Sequence, residues 1–377
     1  TCALPILGWM LSEEKFMKSL TFLDMLKLRA SYGQIGDDNV GDPFLYMTLW
    51  NYGGTSWLGD TDASRSPYTW YSLGRLGNPD IHWETATKRN YGVDFSVFEG
   101  LFSGAVDIFH DNRTEILINS TGRAIPSYFG MKAPWANLGQ VEVKGYELEL
   151  KFNKVLPNKM RIWANSSMTH AVDRIIERDD PQLLPAYRKQ AGYSIGQTRS
   201  VITHGYYNTP DELYATTKFE SHDANKMIGN YQLVDFNGDG IIDENDKAPI
   251  AYSNNPQYTY NTTLGLDYKG FSLYLQFYGV SNVSRWVGLS SFGRPWMNTA
   301  YSEGELWSKE NTNPDAPNPT LVSTNYGDYR GDHYLYDGSY VRLKNAEISY
   351  TFDSKIMRKI GLNALRIFVN GNNLLFF

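Results

Sequence analysis

Residues 235–246 have the spacing of an EF-hand-type calcium loop. In such a loop, oxygen ligands recur at fixed positions, and a glycine at the sixth position, here Gly240, allows the sharp turn. The predicted ligands are Asp235, Asn237, Asp239, the backbone carbonyl of Ile241, Asp243 and Asp246. The twelfth position holds Asp in place of Glu, and this shorter side chain predicts weak binding, on the order of 10⁻⁴–10⁻³ M. The alternative is a tight turn without an ion, because Asn-Gly and Asp-Gly pairs favour turns.

Residues 192–196, Gly-Tyr-Ser-Ile-Gly, match the G-x-S-x-G pattern in which serine is the nucleophile of a hydrolase. That pattern needs a strand before the serine and a helix after it. The residues that follow Gly196 are largely β-branched and do not favour a helix. No other signal places a histidine and an acid beside Ser194. We therefore predict that the chain is not an enzyme.

Glu147 and Glu149 are a second candidate for catalysis. Residues two apart on a strand share a face and lie about 7 Å apart, a separation that suggests the acid pair of a glycosidase. However, Lys151 continues the same polar row, while Leu148 and Leu150 lie on the opposite face. A polar row opposite an apolar row is typical of the water-facing wall of a barrel, and we favour that interpretation.

Tryptophans in the predicted loops are candidates for substrate binding, because their rings can stack on sugars or other flat ligands. These residues are Trp57, Trp70, Trp286 and Trp296. Packing within the loops, or at a membrane interface, is the alternative for each of them.

Composition excludes several classes of function. The chain has 377 residues, with 35 basic and 41 acidic side chains and a net charge of −6, which excludes a strongly basic surface for nucleic acid. Aromatic residues make up 15% of the chain, so there is apolar surface to bury and the chain is not disordered. The single cysteine, Cys2, excludes an internal disulfide and a cysteine-based zinc site. No run approaches the roughly 18 apolar residues of a transmembrane helix.

Strands must position these residues, because apolar and polar residues alternate along much of the chain. The clearest example begins at Gln257, where Tyr258, Tyr260 and every second residue to Tyr268 share one face. About nine strands are predicted, at residues 26–32, 90–97, 102–111, 141–153, 160–172, 257–268, 271–278, 340–352 and 364–376. The sequence therefore predicts an all-β, antiparallel fold.

The predicted connections alternate between short turns and long loops. Short turns fall near Gly100, Pro157 and Gly270, with a longer turn near residues 354–361. The long loops are residues 33–86, 114–139, 174–256 and 284–338. Membrane β-barrels have this asymmetry, and tyrosines such as Tyr258 and Tyr268 at the strand ends fit an interfacial aromatic belt. The alternative is a large soluble β-sheet protein with one face in a core.

Several segments resemble the C-terminal half of SusC/RagA-type TonB-dependent outer-membrane transporters. The matching runs, in the order of that family, are LGW at 7–9, SEEKF at 12–16, LKLRASYG at 26–33, NPDIHWET at 78–85, NYGVDF at 90–95, GYEL at 145–148, ELW at 305–307, DGSYVRLKN at 337–345 and RIFVNGNNL at 366–374. The run at 337–345 is the most specific. Val143 departs from the family pattern, which usually has Asn there.

The resemblance implies a partial transmembrane barrel, about nine strands of a 22-stranded one, with long extracellular loops. Residues 1–377 would be the C-terminal part of the barrel, without the plug and N-terminal domains. The implied location is the outer membrane of a Gram-negative bacterium.

The implied function is import of a large nutrient, a glycan (oligosaccharide) or an oligopeptide. The implied partners are a SusD-like lipoprotein, the TonB complex acting through the N-terminal part, and the lipid bilayer, with no role for nucleic acid. The alternative is a secreted, soluble carbohydrate-binding β protein.

Overall fold

The computed structural model describes residues 6–38, 41–55, 68–220, 223, 226–287, 306–310, 312, 331–352, 357–358 and 361–377. Ten strands in these ranges form one sheet, in which each strand pairs antiparallel with the next one along the chain. They are β1 (Ile6–Met10), β2 (Leu23–Asp37), β3 (Glu84–Val97), β4 (Phe102–Ile118), β5 (Ala136–Val155), β6 (Arg161–Glu177), β7 (Tyr258–Tyr268), β8 (Phe271–Ser281), β9 (Tyr340–Thr351) and β10 (Arg366–Phe376).

The predicted all-β antiparallel fold is confirmed, but the predicted number of strands is wrong by one. Strand β1 was missed because its five residues, Ile-Leu-Gly-Trp-Met, are too few and too uniformly apolar to alternate. Several strands are also longer than predicted: β5 has 20 residues, and β4 and β6 have 17 each. Their extra residues lie toward the long loops, where the alternation of apolar side chains ends.

The predicted alternation of turns and loops is confirmed. Turns of two to five residues, 98–101, 156–160 and 269–270, join strands at the end of the sheet that we call the turn end. The longer connections 11–22 and 352–365 lie at the same end, whereas 38–83, 119–135, 178–257 and 282–339 join strands at the opposite, loop end. In the two-residue turn, Lys269 and Gly270 both have positive φ, as a type I′ hairpin turn requires.

One face of the sheet, the apolar face, carries a row of mostly apolar residues across nine strands. In register, this row is Trp9, Leu28, Val93, Val106, Leu148, Met168, Tyr260, Gly279 and Val341. Neighbouring residues of this face are strongly exposed: Ile108 is 59% exposed and Ile348 is 62% exposed. The sheet therefore presents hydrophobic surface that no described element covers.

Aromatic rings lie near both ends of the apolar face. The loop-end belt runs in register from Tyr91 to Tyr146, His170 and Tyr258, with ring centroids 5.0 Å apart for Tyr146 and His170. The turn-end belt contains two ring pairs, Phe102 with Phe152 at 5.1 Å and Phe271 with Tyr350 at 4.5 Å. On β7, Tyr258 and Tyr268 are about 33 Å apart along the strand, which a tilt near 45° reduces to about 23 Å. An apolar band of a membrane barrel is about 25 Å tall.

The long loops contain small elements of their own. Their paired strands are Leu49–Thr55 with Thr69–Arg75, Thr198–Ser200 with Ala248–Ala251, Thr203–Tyr206 with Tyr231–Leu233, Lys218–Phe219 with Ile241–Ile242, and Ser284–Trp286 with Leu335–Asp337. A short helix spans Pro210–Ala215, and 3₁₀ turns span Leu11–Glu13, Ser120–Gly122, Ser127–Phe129, Ala186–Arg188 and Glu244–Asp246. Within the described residues, no helix reaches the length and hydropathy of a membrane span.

Two of these loops share a hydrophobic cluster, which we call the loop core. Its members are Val201, Tyr206, Phe219, Tyr231, Leu233, Ile242, Trp307 and Tyr334. Trp307 and Tyr334 come from the loop 282–339, and the others come from the loop 178–257. Two hydrogen bonds reinforce the contact: Tyr231 donates to Tyr334 at 2.8 Å between hydroxyls, and Trp307 Nε1 donates to Asn208 Oδ1 at 2.8 Å. The two loops are thereby packed together at the loop end.

Candidate functional site

A cavity of about 560 Å³ lies at the loop end of the polar face, the face opposite the apolar one. Its floor is aliphatic, with Ile116, Val141 and Ile175 from β4, β5 and β6. Charged groups also line it, including the ion pair of Lys88 with Asp111 at 2.5 Å. A cavity with aliphatic walls and a few charged groups has the composition of a ligand site.

Residues 190–196 close one side of the cavity, and hydrogen bonds hold them against β6. Ile175 N donates to Tyr193 O at 2.9 Å, and Gly192 N donates to Ile175 O at 2.7 Å. Asp180 Oδ2 accepts from the backbone N–H groups of Gln190 and Ala191 at 3.0 and 2.9 Å. The segment that carries the predicted G-x-S-x-G pattern is therefore part of a cavity wall.

Ser194 itself has no catalytic arrangement in the described part of the chain. Its hydroxyl donates to the backbone carbonyl of Asp173 at 2.9 Å, and Ile195 N donates to Asp173 Oδ2 at 2.5 Å. The strand Thr198–Ser200, not a helix, follows the serine. These contacts fix the turn onto β6, with the hydroxyl engaged by a backbone carbonyl.

A second loop is attached beside the cavity by Arg123 and Asp179. Arg123 Nε donates to Asp179 Oδ2 at 2.6 Å, Arg123 Nη1 donates to Pro134 O at 2.7 Å, and Ala124 N donates to Asp179 Oδ2 at 3.0 Å. Burial by itself raises the pKa of Asp179, but the hydrogen bonds from Arg123 and Ala124 outweigh it and hold the pKa below its ordinary value. The loop 119–135 is thus tied to the loop 178–257 by an ionised carboxylate.

The centre of the polar face carries a charged network. Arg29 donates to both oxygens of Asp94, at 2.9 and 2.8 Å, and to Asp107 Oδ2 at 2.9 Å. A side chain at Gly92 would meet this network, since an added Cβ would lie 2.5 Å from Asp107 Oδ1. The guanidinium neutralises one of two carboxylates that face the same water-accessible surface.

Glu147 and Glu149 lie on this polar face, as predicted. Glu147 is directly opposite Asp107 and Thr169, and Glu149 Oε1 is 3.3 Å from Lys151 Nζ. Leu148, between them in sequence, and Leu150 lie on the opposite, apolar face. Both acids therefore belong to a polar wall with a cation beside it.

The predicted calcium ligands form a compact turn in which carboxylates accept backbone amide protons. Asp235 accepts from Gly238 at 2.7 Å and from Gly240 at 2.9 Å, and Gly240 has a φ of +86°. Asp246 is 0% exposed and accepts from Phe236 at 2.8 Å and from Asp243 at 2.7 Å. The glycine turn that the spacing requires is present.

The remaining predicted ligands hydrogen-bond within the same turn. Asn237 Oδ1 accepts from Asp239 N, and Asp239 Oδ1 accepts from Ile241 N, both at 2.9 Å. Over the described ranges, no three acidic, histidine or cysteine side chains are grouped to hold a metal. These hydrogen bonds do not block an ion, because a carboxylate oxygen that accepts one amide proton retains a second lone pair. Calcium binding therefore stays a prediction.

Of the four predicted substrate-binding tryptophans, Trp57 and Trp296 lie outside the described residues. Trp70 is exposed on the hairpin Leu49–Thr55 with Thr69–Arg75, and its ring covers Gly53 so closely that an added Cβ would lie 2.2 Å away. Trp286 is exposed on a different loop. Their role in substrate binding stays a prediction.

Comparison with known proteins identifies the family. A sequence model of the family described as "TonB dependent receptor-like, beta-barrel" matches residues 15–374. The chain belongs to this family.

Among curated relatives, the chain is similar to TonB-dependent receptor P3 of Formosa agariphila, with 26% identity over 98% of this chain and 37% of the receptor. It is also 26% identical to TonB-dependent receptor SusC of Bacteroides thetaiotaomicron, over 92% of this chain and 34% of that protein. The solved structure of the RagAB peptide transporter superposes with a TM-score of 0.74 at 19% identity, over 99% of this chain and 39% of that chain. The chain therefore spans little more than a third of the length of these relatives.

In a barrel of this family, the two faces of the sheet have defined surroundings. Membrane barrels turn an apolar face outward and a polar face to the lumen. The cavity thus lies on the lumenal side at the loop end, and the Arg29 network lies below it. Sequence reasoning missed the cavity because its lining comes from four strands and a loop segment. Alternation could have assigned Val141 and Ile175 to the polar side, where aliphatic residues are unexpected.

Proposed function

We propose that the chain forms part of the wall and the extracellular loops of a TonB-dependent transporter in the outer membrane of a Gram-negative bacterium. The transporter imports a large nutrient, a glycan or an oligopeptide, without changing it chemically. A SusD-like lipoprotein covers the loop end. The TonB complex acts through a plug and N-terminal segments of the full-length protein, of which residues 1–377 are the C-terminal part.

The observation that carries this proposal is the uncovered apolar face. A soluble, carbohydrate-binding β protein would need Ile108 and Ile348 packed against another sheet, but both are more than half exposed and no described element covers them. An apolar band between two aromatic belts suits hydrocarbon. Long loops at only one end further support a barrel with one extracellular side.

The cavity is the best candidate for a substrate contact, and the exposed aromatic hairpin around Trp70, in the loop 38–83 at the same end of the sheet, is a second. The cavity offers aliphatic walls and ionic groups. The hairpin offers aromatic rings such as Tyr52 and Tyr71, whose centroids are 5.7 Å apart. Rings of this kind can stack on sugars, and aliphatic walls suit side chains of a peptide. Both substrate classes therefore remain in the proposal.

Deletion of the gene and fractionation of the wild-type cells test the proposal together. The full-length protein should be found in the outer-membrane fraction and should need detergent to remain monodisperse. The deletion strain should fail to grow on at least one member of a panel of polysaccharides and peptide digests, and loss of TonB should give the same defect. A monodisperse protein in detergent-free buffer would favour the soluble carbohydrate-binding alternative instead.

A further inference from the structure

Three basic side chains lie side by side on the apolar face, between the loop-end belt and the loops. Register pairs Arg89 of β3 with His110 of β4, and His110 with Lys144 of β5. On its own strand, each of these residues lies two positions closer to the loops than Tyr91, Ile108 and Tyr146, respectively. The next pair toward the loops is Glu142 with Arg174 of β6. We call Arg89, His110, Lys144 and Arg174 the cation row.

The cation row has an excess of positive charge. Its acidic neighbour Glu142 accepts from His110 Nε2 at 2.7 Å and lies 2.8 Å from Lys144 Nζ. Arg89 and Arg174 have no carboxylate partner among the described residues. Arg89, Lys144 and Arg174 are thus three cations beside one carboxylate. Lys144 is also accessible, with 62% of its side chain exposed.

The position of the row determines what it can meet. Immediately beyond an interfacial aromatic belt, a membrane presents lipid headgroups, and basic side chains there attract anionic ones. A guanidinium matches a phosphate with paired N–H donors, and an ammonium adds a point charge. The guanidinium of Arg89 lies 5.9 Å from the ring centroid of Tyr32 on β2, and it must turn from that ring toward His110 to reach a phosphate shared with Lys144.

We propose that Arg89, Lys144 and Arg174 bind the phosphate of a lipid headgroup in the outer leaflet, while its acyl chains lie along the apolar face below. The inference rests on the proposed location in a membrane and adds a site on the outer surface of the barrel. The opposite end of the same face gives a contrast. There, Lys154 of β5 is paired with the apolar Ile162 of β6, not with another basic residue.

Lipid binding to the purified full-length protein in neutral detergent tests the site. Native mass spectrometry should show a phosphate-bearing lipid bound more tightly than a lipid with the same acyl chains and a neutral headgroup. Combining Arg89→Gln, Lys144→Gln and Arg174→Gln should weaken that binding roughly 100-fold. Lys154→Gln removes one cation from the same strand and face and should change the affinity by less than about threefold. Inorganic phosphate at millimolar concentration should not displace the lipid.

A variant that should tighten lipid binding distinguishes a specific effect on the site from general damage to the fold. Glu142→Gln removes the competing carboxylate and should tighten binding of the phosphate-bearing lipid about fivefold. Unchanged binding in the triple variant, equal binding of the neutral lipid, or displacement by inorganic phosphate would each overturn the inference. Any of these results in a protein that still fractionates with the outer membrane would leave the proposed transport function standing. A protein that does not enter the membrane would instead contradict the proposed function.

Discussion

At the scale of single residues, side-chain polarity decides which face of the sheet can tolerate a charge. Leu275 of β8 lies on the apolar face between Leu264 and Ala346, whereas Thr263 of β7 lies on the polar face opposite Gln276. Leu275→Arg should lower the free energy of unfolding by roughly 2–4 kcal/mol, because it places a cation in hydrocarbon. Thr263→Arg should cost less than about 1 kcal/mol, because its charge meets water. Urea unfolding of the full-length protein in lipid measures both, and equal costs, or a larger cost for Thr263→Arg, would contradict this assignment of the faces.

The loop at residues 235–246 gives a second residue-scale prediction. Binding of calcium by Asp235 and Asp239 should hold the turn against the mutual repulsion of its carboxylates. Millimolar calcium should therefore slow proteolysis of the native protein within the loop 178–257. The double variant Asp235→Ala with Asp239→Ala should lose this protection. If calcium leaves cleavage of the native protein unchanged, the turn is held by its amide hydrogen bonds alone.

At the scale of elements, the sequence predicts structure that follows from a local pattern, and it does not predict contacts between residues far apart in the chain. Alternating residues located nine strands, and Lys269-Gly270 located a hairpin turn, because each is a local pattern with a physical cause. The loop core could not be predicted, since Trp307 and Tyr334 join a cluster of residues from another loop without any periodicity. The cavity was missed for the same reason.

The loop core makes the two largest loops one packed unit. Trp307 is only 4% exposed, so Trp307→Ala should cost about 3–5 kcal/mol of local stability and separate the loop 282–339 from the loop 178–257. Trp286, 46% exposed on the same loop, is the matched control, and Trp286→Ala should have little effect. Hydrogen exchange resolved by peptide should show faster exchange around Tyr206 and Tyr231 in the first variant only. The same exchange rates in both variants would show that Trp307 does not hold the loops together.

The tie between Arg123 and Asp179 should make the neighbouring loop sensitive to acid. Because hydrogen bonds from Arg123 and Ala124 outweigh burial and lower the pKa of folded Asp179, its stabilising effect is complete above the unfolded pKa, about 3.9. The effect is lost as the pH falls through the lower, folded pKa. Hydrogen exchange of the loop 119–135, corrected for its intrinsic rate, should therefore accelerate in acid.

Two variants isolate that effect. Asp179→Asn should exchange faster already at neutral pH and lose most of the acid-dependent step, because it cannot form the ion pair. Asp211→Asn, at an exposed position of the helix Pro210–Ala215, should behave as the wild type. An acid-dependent step of full size in Asp179→Asn would assign the sensitivity to another group.

At the scale of the whole molecule, the sheet is a wall with two open edges. Strands β1 and β10 each pair on one side only within the described residues. Unpaired backbone at a strand edge is not stable in hydrocarbon, so both edges require partner strands in a membrane. This chain spans 37% of TonB-dependent receptor P3, so a protein of that length has further residues that could form such strands. The ten strands are thus consistent with one part of a larger closed barrel.

The proposed function depends on contact of the apolar face with lipid and of the polar face with water. It is tested by single cysteines along β7, introduced into the full-length protein after Cys2 and any other cysteine are replaced with Ser. Each cysteine carries a fluorophore, and the protein is reconstituted with nitroxide-labelled lipids. Quenching should be strong for Thr262→Cys and Leu264→Cys and weak for Thr259→Cys and Thr263→Cys, with a period of two residues. Weak quenching at all four positions, or the reverse alternation, would contradict the account.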